Sequence, residues 1–253
     1  MIAISEAVIL MAGSGSRLRG SDATLLKPFV PVFGRPLLSY TMDVLVHARI
    51  RNVNFVVGYE GERVVAQVKR MVPPEIEPSF IENHEWKKQN GISLLAAAKR
   101  VVGPFLLTMS DHLFDHTIVD LLIRSADPSL LNVAVDRKLA AIFDLNDAMK
   151  VQTRENQIVG IGKNLRDYDA IDTGFFMCPL DIFEYFEQAK QNGDCSLADG
   201  VRVMAAANKV CAIDIGDAWW QDIDTPEMLA QAEKKMNERV PMTVRVGSVT
   251  NAV

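Results

Sequence analysis

The sequence predicts an α/β protein with a mainly parallel sheet and helices on both faces. Strand-length apolar runs alternate with helical periodicity up to about residue 130. A chain of 253 residues is long enough to bury a full core of this class. Small and polar residues gather where predicted strands end, at 13–16 and 110–112. Open α/β sheets bind their ligands at those carboxyl ends.

Residues 6–12 read as the first strand. Residues 36–50 read as a helix, with Leu37, Leu38, Met42, Leu45, Val46 and Ile50 at helical spacing. A strand follows at 54–58 and a helix at 60–71, which Pro73 and Pro74 stop. Residues 76–81 are extended, and an Asn90-Gly91 turn precedes a helix at 92–101. The strand 105–109 ends at Ser110-Asp111-His112. Beyond residue 130 the pattern changes to short strands at 131–135, 149–153, 158–163 and 173–178. With the polar turn 154–157 they predict a small antiparallel insertion that caps the site and holds an acceptor. Helices are predicted at 180–191, 197–207 and 226–238. The expected organisation is one domain over 1–240, with halves at about 1–130 and 131–240, followed by a tail at 241–253.

Composition narrows the function. A net charge of −5 argues against a nucleic-acid partner. The N-terminus lacks the basic and apolar regions of a signal peptide, and no apolar run is long enough to span a bilayer. Cys178, Cys195 and Cys211 are odd in number and widely spaced, so they read as reduced thiols in a cytoplasmic protein.

The strongest local signal is the run Ala-Val-Ile-Leu-Met-Ala-Gly-Ser-Gly-Ser-Arg-Leu at 7–18. Ala12, Gly13, Ser14, Gly15 and Ser16 form a loop of small residues after a strand, where backbone N–H groups can approach a phosphate. Arg17 and Lys27 can neutralise its charge. The spacing fits neither the G-x-G-x-x-G dinucleotide fingerprint nor a G-K-[ST] phosphate loop.

Asp111 lies just past a buried strand, where it would meet phosphate and a hard cation such as Mg²⁺. Further carboxylates come from Trp-Trp-Gln-Asp-Ile-Asp-Thr-Pro-Glu at 219–227, which offers Asp222 and Asp224. In an extended segment both face one side. They are also placed to cap the last helix. Trp219 and Trp220 read as core aromatics or a stacking platform. His112 and His116 are four apart, as zinc ligands on a helix can be, but read more simply as a turn residue and a helix-start residue. His47 and His84 have no obvious partner in the sequence.

The opening motif, with Lys27-Pro28 and Gly34-Arg35-Pro36 after it, resembles the MobA-like, sugar-phosphate nucleotidyltransferase superfamily. The usual signature is A-A-G-x-G-x-R-(L/M), with Met11 here in place of the first alanine. The resemblance implies a GT-A-like three-layer fold. It implies that the loop and Arg17 hold a triphosphate and that Lys27 stabilises the α-phosphate. It also implies that Asp111 and Asp224, and in one reading Asp222, hold Mg²⁺. The run Gln89-Asn90-Gly91-Ile92-Ser93-Leu94 resembles the base-reading element of CTP-using members, which assigns Asn90, Gly91 and Ser93 to the base. Gln89 stands where relatives carry glycine, so base choice stays open.

Further matches lie at 134–137, 161–166 and 169–176. Together they most resemble CTP:inositol-1-phosphate cytidylyltransferases and bacterial phosphocholine cytidylyltransferases. The substrates implied are CTP and a small phosphorylated alcohol, with Lys163 on the acceptor phosphate and Asp136, Arg137 and Asp172 near its other groups. Aminoethylphosphonate, or a sugar 1-phosphate with UTP or dTTP, is the alternative. A glycosyltransferase is disfavoured by Ser110-Asp111-His112 where D-x-D would stand, and a nucleotide sensor by Lys27 together with the distant acids. Some relatives are fused to a membrane-embedded transferase; this chain is expected to act as a soluble enzyme of single activity. The sequence leaves the oligomeric state open, a homodimer included.

Overall fold

The computed structural model describes residues 4–19 and 24–239. The tail expected at 241–253 lies outside the described residues. Strand β1 (Glu6–Leu10) leads through the glycine loop into a short helix, α1 (Ser16–Arg19). A 3-10 turn at Lys27–Phe29 precedes the small hairpin of β2 (Pro31–Val32) and β3 (Arg35–Pro36). Then come α2 (Leu37–His47), β4 (Asn52–Val57), α3 (Gly61–Met71) and β5 (Glu77–Glu82). Next are α4 (Asn90–Ala96), β6 (Phe105–Met109), β7 (His112–Phe114), α5 (His116–Ser125) and β8 (Leu131–Asp136). After these run β9 (Lys150–Arg154), β10 (Gln157–Gly162), β11 (Ala170–Cys178), α6 (Ile182–Ala189) and α7 (Leu197–Ala206). The described chain closes with β12 (Val210–Asp214), β13 (Trp220–Asp222) and α8 (Pro226–Arg239).

Nine strands form one sheet in the order β5-β4-β1-β6-β11-β8-β12-β10-β9. Pairing is parallel from β5 to β6 and between β8 and β12, and antiparallel on both sides of β11. The interior strand β1 shows why it reads as a continuous apolar run. Val8 and Leu10 enter one core with Leu107, Phe176 and the helices α4, α6 and α7. Ala7 and Ile9 enter a second core with Phe55, Phe175 and the helices α2, α3 and α5. Alternate side chains point to opposite faces, and both faces are covered.

The expected antiparallel strands β9 and β10 are present and continue the main sheet, and β9 also pairs with β11 at Ala170 and Ile171. Strand β11 allows this because its register breaks between Asp172 and Phe176, with Gly174 at φ +73°. Its first residues pair with β9 and its last with β6. One expectation is corrected: Asn90 and Gly91 are not a turn but the first residues of α4, after Gln89 at the N-cap.

Helix α7 is anchored by a capping box in which Ser196 and Asp199 satisfy each other's backbone N–H groups. Its Gly200 packs on the buried ring of Phe186, since a Cβ there would lie 2.2 Å from Phe186 Cε2. Helix propensity alone favours Gly200→Ala by about 1 kcal/mol. Overpacking a buried ring costs about 1–3 kcal/mol, so the clash prevails. Chemical denaturation of the Gly200→Ala variant is therefore expected to show a net loss of stability; a gain would mean that α6 and α7 are loosely packed.

Candidate active site

The small-residue loop is fixed at its start by the neighbouring strand β4 and the residues after it. Met11 N–H donates to the Val56 carbonyl at 3.0 Å, and Tyr59 N–H to the Ala12 carbonyl at 2.9 Å. Gly15 has φ +60°, and a Cβ on it would lie 2.5 Å from Lys27 Cβ. Glycine is required there because the lysine stem runs beneath the loop. Pro28 follows and sets the 3-10 turn that aims Lys27 inward, leaving its side chain only 11% exposed.

Lys27 Nζ donates to Asp111 Oδ2 at 2.5 Å and also to Asp224 Oδ1. Burial alone would lower the lysine's pKa, but Asp111 and Asp224 hold it above the usual value. Burial alone would raise Asp111, but Lys27 and His112 hold it well below the usual carboxylate range. Burial holds Asp222 above its usual value, and the like charges of Asp224 and Asp111 add to this against His112. Asp222 thus belongs to the same electrostatic cluster. The capping alternative for Asp224 is resolved: Thr225 Oγ1 accepts from Met228 N–H at 3.3 Å, which leaves the Asp224 carboxylate for Lys27 and Arg17.

Arg17 donates to Asp224 Oδ2 at 2.6 Å and to Asp147 Oδ2 at 3.1 Å. Lys163 pairs with the other oxygen of Asp147. One carboxylate therefore ties the glycine-loop arginine to the lysine expected at the acceptor. Asp147 was not singled out from sequence, since it lies in an irregular segment with no motif.

Two cavities flank this cluster. One of about 280 Å³ is lined by Ala12, Gly13, Gly15, Ser16, Arg17, Lys27 and Ser93. Ser14 sits within the same loop. The other, of about 840 Å³, is lined by Lys138, Lys163, Asp136, Asp172, Trp220 and Asp222, among others. Asn90, Met109, Asp111 and Asp224 line both, so the acids stand at the junction.

The remaining expected residues divide. Asn90 Oδ1 accepts from Leu197 N–H at 2.8 Å, and Ser93 Oγ accepts from the buried Asn83 at 3.0 Å. At Gly91 a Cβ would meet the Cys195 carbonyl at 2.6 Å. The close contact with the 195–196 backbone is enough by itself to require glycine there. Asp136 is reassigned: its carboxylate accepts from Trp220 Nε1 at 3.0 Å and from Lys138 N at 2.7 Å, and pairs with Lys138 Nζ at 2.8 Å. With these partners it buttresses the wall and presents no unpaired charge to an acceptor. Asp172 lines the larger cavity, accepts from Gly174 N–H at 2.8 Å, and is pushed up to about 6 by burial.

His112 is not a turn residue. It lies in β7, buried, paired in register with Asp222 of β13. Its Nδ1 is 2.5 Å from Asp111 Oδ1, and its ring stacks on Trp220 with centroids 6.2 Å apart. A Cβ on Gly174 would fall 2.4 Å from its Nε2. Burial would lower the imidazole's pKa, but Asp111, with help from Asp222, raises it. His116 does start a helix, α5, as expected, and the three cysteines are free thiols.

Arranged in this way, the residues can hold two phosphorylated ligands on either side of a lysine–carboxylate centre. The Lys27 ammonium, held between Asp111 and Asp224, shows that the two carboxylates converge on one positive centre. That donor set fits a hard divalent cation, which takes carboxylate and phosphate oxygens.

Comparison with known proteins agrees with this geometry. Residues 7–142 match the model of the MobA-like NTP transferase domain. The chain is 33% identical over 91% of its length to the bifunctional IPC transferase and DIPP synthase of Aquifex aeolicus, covering 51% of that protein. It is 34% identical to the protein of the same name from Thermococcus kodakarensis, covering 91% of this chain and 50% of that one. The chain thus spans about half the length of the curated relatives it matches. Among solved structures, the inositol-1-phosphate CTP transferase from T. maritima superimposes with a TM-score of 0.81 at 27% identity, over 94% of this chain and 96% of that one.

Asp172 yields a pH test. Its folded pKa of about 6 lies above the ordinary carboxylate value, so the unfolded chain ionises first as pH rises. The native protein loses stability through the window from about pH 4 to about pH 6, and the full penalty remains above it. Asp172→Asn is expected to raise the urea midpoint above this window and to leave it nearly unchanged below. An offset that does not vary with pH would refute the raised pKa.

Proposed function

The chain belongs to the MobA-like NTP transferase domain family, and from that premise we propose that it transfers CMP from CTP to inositol 1-phosphate and releases pyrophosphate. The observation that carries this reading is the pair of cavities meeting at Lys27, Asp111 and Asp224. The names of its relatives supply the base and the acceptor.

In this reading the triphosphate lies on residues 12–17, against the loop N–H groups and Arg17. Asn90 and Ser93, at the first turn of α4, face the base. An oxygen of the acceptor phosphate attacks the α-phosphorus in line. The new P–O bond forms as the bond to the β-phosphate oxygen breaks, and pyrophosphate carries away the electron pair. The acceptor phosphate is already ionised, so no proton need be removed. Lys27 and Arg17 stabilise negative charge that grows on the phosphate oxygens, and the fold supplies position. Asp111 and Asp224, with Asp222 beside them, would hold Mg²⁺. When bound, that ion neutralises phosphate charge and orients the leaving group. Lys163 pairs with the acceptor phosphate, Asp172 faces its hydroxyl groups, and Asp136 keeps Trp220 and Lys138 in place. Among the described residues no helix is long and apolar enough to cross a membrane.

The direct test is pyrophosphate release with Mg²⁺, each of four NTPs and a panel of acceptors. The panel contains inositol 1-phosphate, phosphocholine, aminoethylphosphonate, glycerol phosphate and sugar 1-phosphates. Turnover confined to CTP with inositol 1-phosphate is expected. Turnover with UTP or dTTP and a sugar phosphate would overturn the base and acceptor assignment while leaving the chemistry. Lys27→Ala and Asp111→Ala should each lower kcat by about 100-fold or more, with circular dichroism unchanged. Near-normal rates in either variant would refute the assigned role.

A further inference from the structure

His112 and His116, four apart in sequence, separate in the fold. His112 goes to the active site, while His116 at the start of α5 meets His47, the last residue of α2. Their ring centroids are 4.3 Å apart and tilted by 56°. Asp120, one turn along α5, shares a helix face with His116. His47 Nε2 lies 3.3 Å from Asp120 Oδ2. Ligand atoms from all three side chains lie within 4.8 Å of one another.

We propose that His47, His116 and Asp120 form a binding site for a zinc-class transition metal that clamps α2 to α5. Zinc binds imidazole nitrogen and carboxylate oxygen at about 2.0–2.2 Å, which gives a tetrahedron with edges of about 3.3 Å. The His47–Asp120 separation already equals that edge. His47 and Asp120 are partly exposed, 48% and 36%, so small side-chain rotations can close the remaining distances. Two nitrogens and one oxygen favour zinc over magnesium, which prefers an all-oxygen shell. A cavity of about 380 Å³ adjoins both histidines and leaves room for water or a small anion at a fourth position. Among the described residues, none of these three lines the active-site cavities. The nitrogen donors distinguish the cluster from the carboxylates of Asp111 and Asp224.

The test uses the whole chain, stripped with a chelator and dialysed against micromolar Zn²⁺ in excess Mg²⁺. Excess Mg²⁺ occupies the all-oxygen acids. Mass spectrometry of the metal content should find one zinc per chain, with the unfolding midpoint raised by several degrees. Replacing Zn²⁺ by Co²⁺ should give the visible absorption of a tetrahedral centre with nitrogen ligands. H47A, H116A and D120A should each lose the zinc and the shift in midpoint, and H47A should keep its rate of pyrophosphate release with CTP. The proposal fails if the native chain binds no zinc under these conditions. It fails equally if the bound zinc survives replacement of both histidines.

Discussion

The arrangement depends on one interaction, the Lys27 ammonium held between Asp111 and Asp224. Asp111 follows β6, Lys27 follows the glycine loop, and Asp224 stands between β13 and α8. Three distant stretches of chain therefore meet at one charge. Without the ammonium, two carboxylates would face each other in a largely desolvated place, and like charges there disfavour ionisation of both. Removing one partner of this part-buried set leaves the other charge without its counter-ion. The contact is thus a structural knot at the junction of the two cavities.

His112 connects this knot to the wall of the larger cavity. Its strand β7 pairs with β13, which sets His112 opposite Asp222. The ring is enclosed by Trp220 on one side and the backbone of Gly174 on another. Trp220 in turn donates to Asp136, which holds Lys138. A continuous set of packed and hydrogen-bonded groups therefore runs from the central carboxylates to the rim of the larger cavity. The kink in β11 at Gly174 is part of it, because any side chain there would displace the imidazole.

Much of this was legible in the sequence because the signals are local. Periodicity located the main strands and helices, and β6 at 105–109 agrees to the residue. The glycine loop with Lys27-Pro28 is also local. Asp224 became legible through resemblance, since its spacing from the loop says nothing of proximity. What was missed depends on contacts distant in sequence. Asp147 gains its place only when residue 17 and residue 163 come together. His112 reads as a turn residue unless β13 is known to pair with β7. The packing constraint on the glycine at 91 comes from Cys195 on another helix connection. The closure of β9 onto β11 has no sequence signature, because it joins Lys150 and Val151 to Ile171 and Ala170 past the strand β10 that lies between them in the chain.

Asp147 has a consequence for how strongly anions can bind. Its carboxylate is shared by Arg17 and Lys163, the two cations on either side of the cluster. In this structure those positive charges are answered from within the chain. A phosphate arriving at either cation competes with an internal anion, so its electrostatic gain is smaller than the attraction of a bare cation. Such an exchange tempers affinity for every anion alike. It leaves selectivity to shape and to groups that only the right ligand can reach, and it lets a product leave as its place is retaken by the protein's own carboxylate.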